Sequence, residues 1–541
     1  MTYLTVPISA EEIKEANRQI QAAKRGGAEA VELRCDYLKN LSVETVRKLF
    51  ADARKEISIP IIVTCRERSE GGVIDYPLKL RLEVLAAAIE AGADFIDFEY
   101  ENFKKLESQE KIKRALEKNK KTRLILSAHN FKTRFENIER LYSDICSQYP
   151  AAIPKIVYTA NHINDCFEAF DLLHNSKGDS IVLCMGEAGL VSRIITKKLG
   201  GLVTYTSLDE KSATAAGQVT IEDMKKLYRW DAIDVGTEIY GIIGSPVAHS
   251  LSPVIHNKCF EEIGASKLYL PLLVEGGKEQ FNQFVENCLE REWLDFRGFS
   301  ITIPHKENAL NFVREKGGVV EPLAEKIGAV NTLIIEPRVA AYNTDYAGAM
   351  DAITGGMGIK REDLKDLPVA VIGAGGVARA IVAGLSDCGV KIKIYNRTIK
   401  RAETLAREFN CEFGGLEELA KLNAKLVINC TSIGMQPKVK ETPILKGIIE
   451  EAQRRRGNLN IEYRTRNIEC RSKDRIAEGI FVFDTVYNPA ETLLLKQAKE
   501  AGAKTITGLD MFVNQAVEQF KLFTGKVADL NIMRKIITKK P

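Results

Sequence analysis

Eight short apolar runs, at 3–8, 31–35, 60–65, 95–100, 123–128, 155–159, 181–185 and 202–206, alternate with segments of helical spacing over the first 228 residues of this 541-residue chain. Strands joined through helices pair in parallel, and a parallel sheet is covered on both faces, so its strands read as nearly unbroken Val, Ile and Leu. Eight strand–helix units in that length match the count and size of a (β/α)8 TIM barrel, with an open doubly wound sheet as the runner-up. Barrels carry their chemistry at strand ends, and the polar residues gather there: Glu32, Arg34, Arg66, His129, Arg193 and Tyr205. Lys155 lies within a strand of Ile and Val. It is either a strand-start lysine reaching for solvent or a desolvated amine.

A chain of this length exceeds one hydrophobic core, and the α/β pattern restarts at 239–244. The expected domains are 1–234, 235–345, 346–490 and a helical closing stretch, 491–541, that packs back on the second. Within the third, a buried-strand pattern at 369–372 runs into Gly373, Ala374, Gly375, Gly376, Val377 and Ala378. Gly373 permits the tight turn, Gly375 lets backbone approach a pyrophosphate, and Ala378 takes the helix-packing position, as in a Rossmann dinucleotide site. The next strand, 391–395, ends in Asn396, Arg397 and Thr398, with Lys400 and Arg401 just beyond. An NAD site places a carboxylate there; a basic cluster suits a 2′-phosphate, so NADP(H) is the expected cofactor.

The net charge of +4 is local: residues 454–475 carry eight basic and three acidic groups, and the remainder sums to about −1. That stretch contains a tandem near-copy, 460–466 and 467–473, and reads as a solvated, mobile inserted loop rather than a nucleic-acid arm. Eleven scattered cysteines without a Cys-x-x-Cys pair suit reduced thiols, and six histidines in no ligand spacing give no metal site. The chain shows neither a signal-peptide layout nor a membrane-length apolar run, so the expected compartment is the cytoplasm.

From residue 245 onward, the motifs SPVAHSLSPVIH (245–256), SITIPHK (300–306), GAVNT (328–332), NTD (343–345), NCTSIGM (429–435), DTVYNP (484–489) and GLDMFVNQ (508–515) occur in an order that resembles shikimate dehydrogenase over about 300 residues. The resemblance implies a two-lobed α/β unit that reduces 3-dehydroshikimate to shikimate with NADPH. It implies that Ser250, Ser252, Thr302, Asn331, Asp345, Tyr487 and Gln515 bind substrate, that Lys306 with Asp345 serves the reacting oxygen, and that Thr431, Gly508 and Met511 join the cofactor site. A ketone accepting hydride develops alkoxide charge, which an ammonium within hydrogen-bond reach stabilises.

The first half, through VELRCD (31–36), TCRERSEGG (64–72), SAHNF (127–131), PKIV (154–157), GLVSR (189–193) and TAAGQ (214–218), resembles type I 3-dehydroquinate dehydratase. The resemblance implies that Lys155 forms a Schiff base and that His129 is the general base and acid, with Glu70 assisting. Glu32, Arg34, Arg66, Arg193, Thr214 and Gln218 would bind substrate, and Met185 and Tyr205 would line the pocket. An iminium acidifies the neighbouring C–H, as dehydration beside a ketone requires. Together the halves resemble the fused dehydratase–dehydrogenase family, in which one half makes the ketone that the other reduces. Alternatives are an NAD-dependent fusion that prefers quinate, and a non-enzymatic regulator resembling quinate-pathway repressors, although Lys155, His129, Lys306 and Asp345 are all retained. Oligomeric state is not legible.

Overall fold

The strands of the first half close on one another in chain order. They are β1 (Tyr3–Ile8), β2 (Ala30–Arg34), β3 (Ile61–Thr64), β4 (Phe95–Glu99), β5 (Arg123–Asn130), β6 (Ile153–Thr159), β7 (Ile181–Met185) and β8 (Val203–Tyr205). This computed structural model describes residues 1–464 and 479–538, without the side chains of 456–464 and 538. The sheet order is β7-β6-β5-β4-β3-β2-β1-β8, with parallel pairing at every step. Leu202 N–H donates to Ser180 O at 2.8 Å beside the remaining seam, so the barrel is nearly closed. Strands β2, β3, β4 and β7 are buried at every position, as parallel strands under helices must be. Helix Val43–Glu56 begins where a side chain takes an orphan N–H: Ser42 Oγ accepts from Thr45 N–H at 3.1 Å.

By compactness the chain forms two units, 1–241 with 260–296, and 242–259 with 297–541. Segment 260–296 packs on the barrel's outer face: Arg291 makes two hydrogen bonds of 2.7 Å to Asp171, the His174 and Trp293 rings stack at 3.9 Å, and Lys198 reaches Asp295 at 2.8 Å. None of these partners is marked by a sequence motif.

A second sheet has the order β10-β9-β11-β13-β14-β12, from β9 (Glu238–Gly244), β10 (Lys267–Leu273), β11 (Phe296–Ile301), β12 (Val319–Val320), β13 (Thr332–Ile335) and β14 (Val339–Tyr342). The third is the doubly wound Rossmann arrangement. Its strands are β15 (Pro368–Ile372), β16 (Lys391–Tyr395), β17 (Glu412–Gly414), β18 (Leu426–Asn429), β19 (Phe481–Asp484) and β20 (Lys504–Ile506), in the order β17-β16-β15-β18-β19-β20, all parallel. The expected loop at 454–475 needs correction: helix Lys446–Arg464 runs through its first half. Buried Ile449 and Ala452 anchor that helix, and Glu451 pairs with Arg454 at 2.7 Å and Arg455 at 2.9 Å, so charged residues extend it instead of ending it. Residues 465–475 lie outside the described residues. No helix among the described residues is long and apolar enough to cross a membrane.

Candidate active sites

Alternation along the barrel strands turns every second side chain inward, and at the carboxyl ends those side chains are charged. Lys155 on β6 has Ser127 on β5 as its register partner, and Ser127 has Glu99 on β4. Lys155 is buried; its Nζ lies 2.7 Å from Asp97 Oδ2, 2.9 Å from the Tyr205 hydroxyl, 3.9 Å from Glu32 Oε1 and 4.5 Å from the Tyr205 ring centre. Asp97 also pairs with Arg66 at 2.8 Å and accepts from Ser127 Oγ at 2.6 Å. Burial alone would raise the Asp97 carboxyl, but Arg66 and Lys155 outweigh it and hold the group well below the carboxylate range. Arg66 continues to Glu99 at 3.1 Å, and Glu99 is bound in turn by Arg81. The amine is thus the inner end of a buried chain of alternating charges.

His129 and Glu70 form a second group. Glu70 Oε2 accepts from the His129 backbone N–H at 3.0 Å and lies 3.0 Å from Nδ1 of the same residue. Burial, then Arg66 and Lys155, push the imidazole well below its ordinary value, so it is neutral; burial pushes Glu70 up to about 8. Phe131 stacks on His129 at 6.3 Å. Arg34 is committed to Asp36 through two bonds of 2.8 Å, whereas buried Arg193 has no hydrogen-bond partner for Nε and is pushed down to about 10 by burial. Arg193 sits not at the end of β7, where the sequence placed it, but in the short helix Leu190–Ile194 that follows, and a buried guanidinium with an unused donor is the natural partner of a ligand carboxylate. Met185 and Tyr205 are buried in the barrel interior, and Thr214 and Gln218 bond each other on the loop after β8. Sequence reasoning missed Asp97, Glu99 and Ser127, although the acids in FIDFE (95–99) carry the same signal as Lys155.

In the second unit, Lys306 begins helix Lys306–Glu315, Asp345 begins helix Asp345–Met357, and the two side chains form an ion pair. A cavity of about 110 Å³ is lined by Lys306 and by every expected substrate residue except Ser250. Ser250 lines the neighbouring cavity of about 830 Å³. The two cavities share Ile242, Thr302, Lys306, Val377, Thr485 and Tyr487, so the lysine stands where they meet. The larger one is lined by Ala374, Gly375, Gly376, Val377, Thr398, Arg401 and Thr431, joined by Lys400, which extends the basic end, and by Thr404.

The glycine turn has the form a dinucleotide requires. Gly373 has φ +112° and a Cβ there would lie 3.0 Å from Cys430 O, while one at Gly375 would meet nothing within 4 Å. Helix Gly376–Asp387 starts at the cavity, and a helix start with free N–H groups favours phosphate. A Cβ on Gly376 would come within 2.9 Å of Lys306 Cδ, so this glycine also makes room for the lysine, a role its motif did not indicate. Gly373, buried Ala378, Asn396 and Arg397 do not line the cavity; Asn396 instead donates to Thr398 O at 2.9 Å. Gly508 and Met511 line the smaller cavity. Among the described residues no group of three potential metal ligands occurs.

A barrel with a buried lysine inside a strand, followed by a Rossmann unit with a lysine between two cavities, defines a fused lyase and dehydrogenase. Residues 4–235 match the family model of type I 3-dehydroquinase. Residues 242–333 match the shikimate dehydrogenase substrate binding domain, 358–461 shikimate/quinate 5-dehydrogenase, and 508–538 the shikimate 5′-dehydrogenase C-terminal domain. The chain is 35% identical over 556 residues to the chloroplastic bifunctional 3-dehydroquinate dehydratase/shikimate dehydrogenase of Arabidopsis thaliana, covering 99% of this chain and 84% of the relative. It is 36% identical over 307 residues to shikimate dehydrogenase (NADP(+)) of Caldanaerobacter subterraneus, covering 55% of this chain and 95% of that one. The chain belongs to the family of bifunctional 3-dehydroquinate dehydratase/shikimate dehydrogenases.

Proposed function

We propose that the barrel dehydrates 3-dehydroquinate to 3-dehydroshikimate through a Schiff base on Lys155, and that the second unit reduces this product to shikimate with NADPH. The observation carrying the first step is the placement of the Lys155 amine, buried between Asp97 and Tyr205 inside the barrel. Arg193 holds the substrate carboxylate. The amine adds to the ketone carbon and water leaves, giving an iminium whose positive charge Asp97 balances. Neutral His129 takes the acidified C–H proton at Nε2 while Glu70 holds Nδ1. His129 then returns that proton to the departing hydroxyl, and water hydrolyses the iminium to release the ketone and free Lys155.

In the second unit Ser252, Asn331, Tyr487 and Gln515 hold the hydroxy acid, and Lys306 donates to the carbonyl oxygen. Asp345 orients that ammonium, which delivers the proton as alkoxide charge develops. NADPH, when bound, supplies the hydride. Gly375, Gly376 and the start of helix Gly376–Asp387 would hold its pyrophosphate, and Lys400 and Arg401 the 2′-phosphate that distinguishes it from NADH. We assign the dehydratase to 1–234, the substrate lobe to 235–345, the cofactor lobe to 346–490 and the closing helices to 491–541; Gln515 in the smaller cavity supports the last. The cytoplasm remains the expected compartment. Ten free cysteines among the described residues favour a reducing one, and the Arabidopsis relative is chloroplastic.

A coupled assay fed 3-dehydroquinate and NADPH tests both steps. NADPH oxidation without added dehydratase is the expected result. Lys155→Ala abolishes it and abolishes borohydride trapping of substrate, yet leaves NADP+ reduction by shikimate intact; normal dehydration by that variant refutes the Schiff base.

A further inference from the structure

At the wall of the smaller cavity, which Gln519 lines together with Asn331 and Gln515, a chain of hydrogen bonds begins at Gln519, a residue with no assigned role, and ends on Asn331. Gln519 is buried and sits one helical turn beyond Gln515 on helix Gly508–Thr524. Its Nε2 donates to Asn331 O at 3.1 Å and to Thr332 Oγ1 at 3.0 Å, and its Oε1 accepts from Ser300 Oγ at 2.8 Å. A backbone carbonyl only accepts, so the Asn331 carbonyl fixes which end of the Gln519 amide faces it. Thr332 Oγ1 must then accept from Gln519, and its own hydrogen goes to Asn331 Oδ1, 2.9 Å away. The Thr344 N–H donates to the same oxygen at 2.9 Å. With Oδ1 occupied by two donors, Asn331 presents Nδ2 to Thr344 Oγ1 at 2.9 Å and, more loosely, to Gln515 Oε1 at 3.5 Å at the cavity wall.

We propose that Gln519 is a positioning residue for substrate recognition: acting through Thr332, it fixes the Asn331 amide with its donor end toward the substrate cavity, so that this wall selects an oxygen acceptor on the ligand. The proposal rests on the reading of Asn331 as a substrate-binding residue. It predicts an effect confined to one ligand, because Asn331, Thr332 and Gln519 line none of the larger cavity. A purely structural glutamine would affect folding and both ligands together.

The test uses the full chain and two variants. Gln519→Glu sets a carboxylate against the Asn331 carbonyl and draws the Thr332 hydrogen away from Asn331; Thr332→Val removes the relay and leaves Gln519 in place. Each is expected to raise the KM for shikimate, and its Kd by calorimetric titration, by about tenfold, the scale of one misdirected hydrogen bond. The KM for NADP+ is expected to stay within about twofold and dehydratase turnover to be unchanged, the double-mutant penalty falling short of additive because both variants cut the same chain. Because Gln519 lines the cavity and Thr332 does not, Thr332→Val separates the relay from direct contact, and it decides alone should Gln519→Glu fail to fold. A wild-type affinity for shikimate in Thr332→Val overturns the proposal, as does an equal rise in both KM values. Absence of shikimate oxidation by the wild-type chain would instead overturn the underlying assignment of the site.

Discussion

Replacing Glu70 by glutamine should remove a pH dependence from the dehydratase without removing the activity. His129 stays neutral over the working range, so the proton that matters is the one between Nδ1 and Glu70 Oε2, 3.0 Å apart. When Glu70 is ionised it accepts Nδ1–H, and Nε2 is left with the lone pair that a base needs. A protonated Glu70 donates to Nδ1, so the ring hydrogen moves to Nε2 and blocks it. Burial holds Glu70 at about 8. At pH 7, one unit lower, roughly a tenth of the molecules carry the competent tautomer, and turnover should climb about fivefold to tenfold toward a plateau above pH 8. In Glu70→Gln the new amide oxygen can accept both the backbone N–H and Nδ1–H at any pH, so this variant should give a lower but flat profile from pH 6 to 9. The assay is the ultraviolet absorbance of the conjugated product at saturating 3-dehydroquinate. A rise with the wild-type midpoint in Glu70→Gln would refute the argument, since the titrating group would then lie elsewhere. Stability carries a matching sign. A folded-state value above the ordinary 4.5 means that the protonated form's advantage is complete below pH 4.5 and is lost as pH rises through about 8, so the variant should gain on the wild type across that window.

Three further outcomes follow from the two sites. Lys306→Ala should lower the kcat of shikimate oxidation by about 10²- to 10⁴-fold and leave dehydration untouched, measured by initial rates of each half-reaction. Arg193→Lys, which trades a fork for a point charge, should raise the KM for 3-dehydroquinate by about tenfold while borohydride still traps the adduct; an unchanged KM would mean the carboxylate binds elsewhere. Arg401→Ser should weaken NADP+ binding by about tenfold and leave NAD+ binding unchanged by fluorescence titration, and equal losses would remove Arg401 from the 2′-phosphate site.

What the sequence disclosed and what it concealed divide along a physical line. Period and punctuation are local, so the eight barrel strands and the turn at Gly373 were legible from neighbours in the chain. The extent of a helix depends on what anchors it. The charged stretch after 454 read as a loop, yet buried Ile449 and Ala452, upstream of the expected insertion, start a helix that its Glu–Arg pairs then prolong. Partners across space were the least visible. Nothing in the pattern of 260–296 announces that Arg291 meets Asp171, because both side chains lie on ordinary amphipathic helices or their ends. Gln519 was hidden by its residue type, a polar side chain on a helix that composition alone assigns to solvent.

Lys155 marks the boundary between these cases. A buried ammonium is tolerated only with a partner, so a lysine inside a strand of Ile and Val already requires an acid facing it. Inward-facing positions recur every second residue, and β4 offers two acids with that spacing, Asp97 and Glu99. The requirement and its candidates were both in the sequence. What was missing was the register that sets β4, β5 and β6 side by side, with Glu99 level with Ser127 and Ser127 level with Lys155. Register is a property of the closed barrel. The buried amine could therefore be read from the chain, whereas the carboxylate that faces it emerged only once the strands were paired.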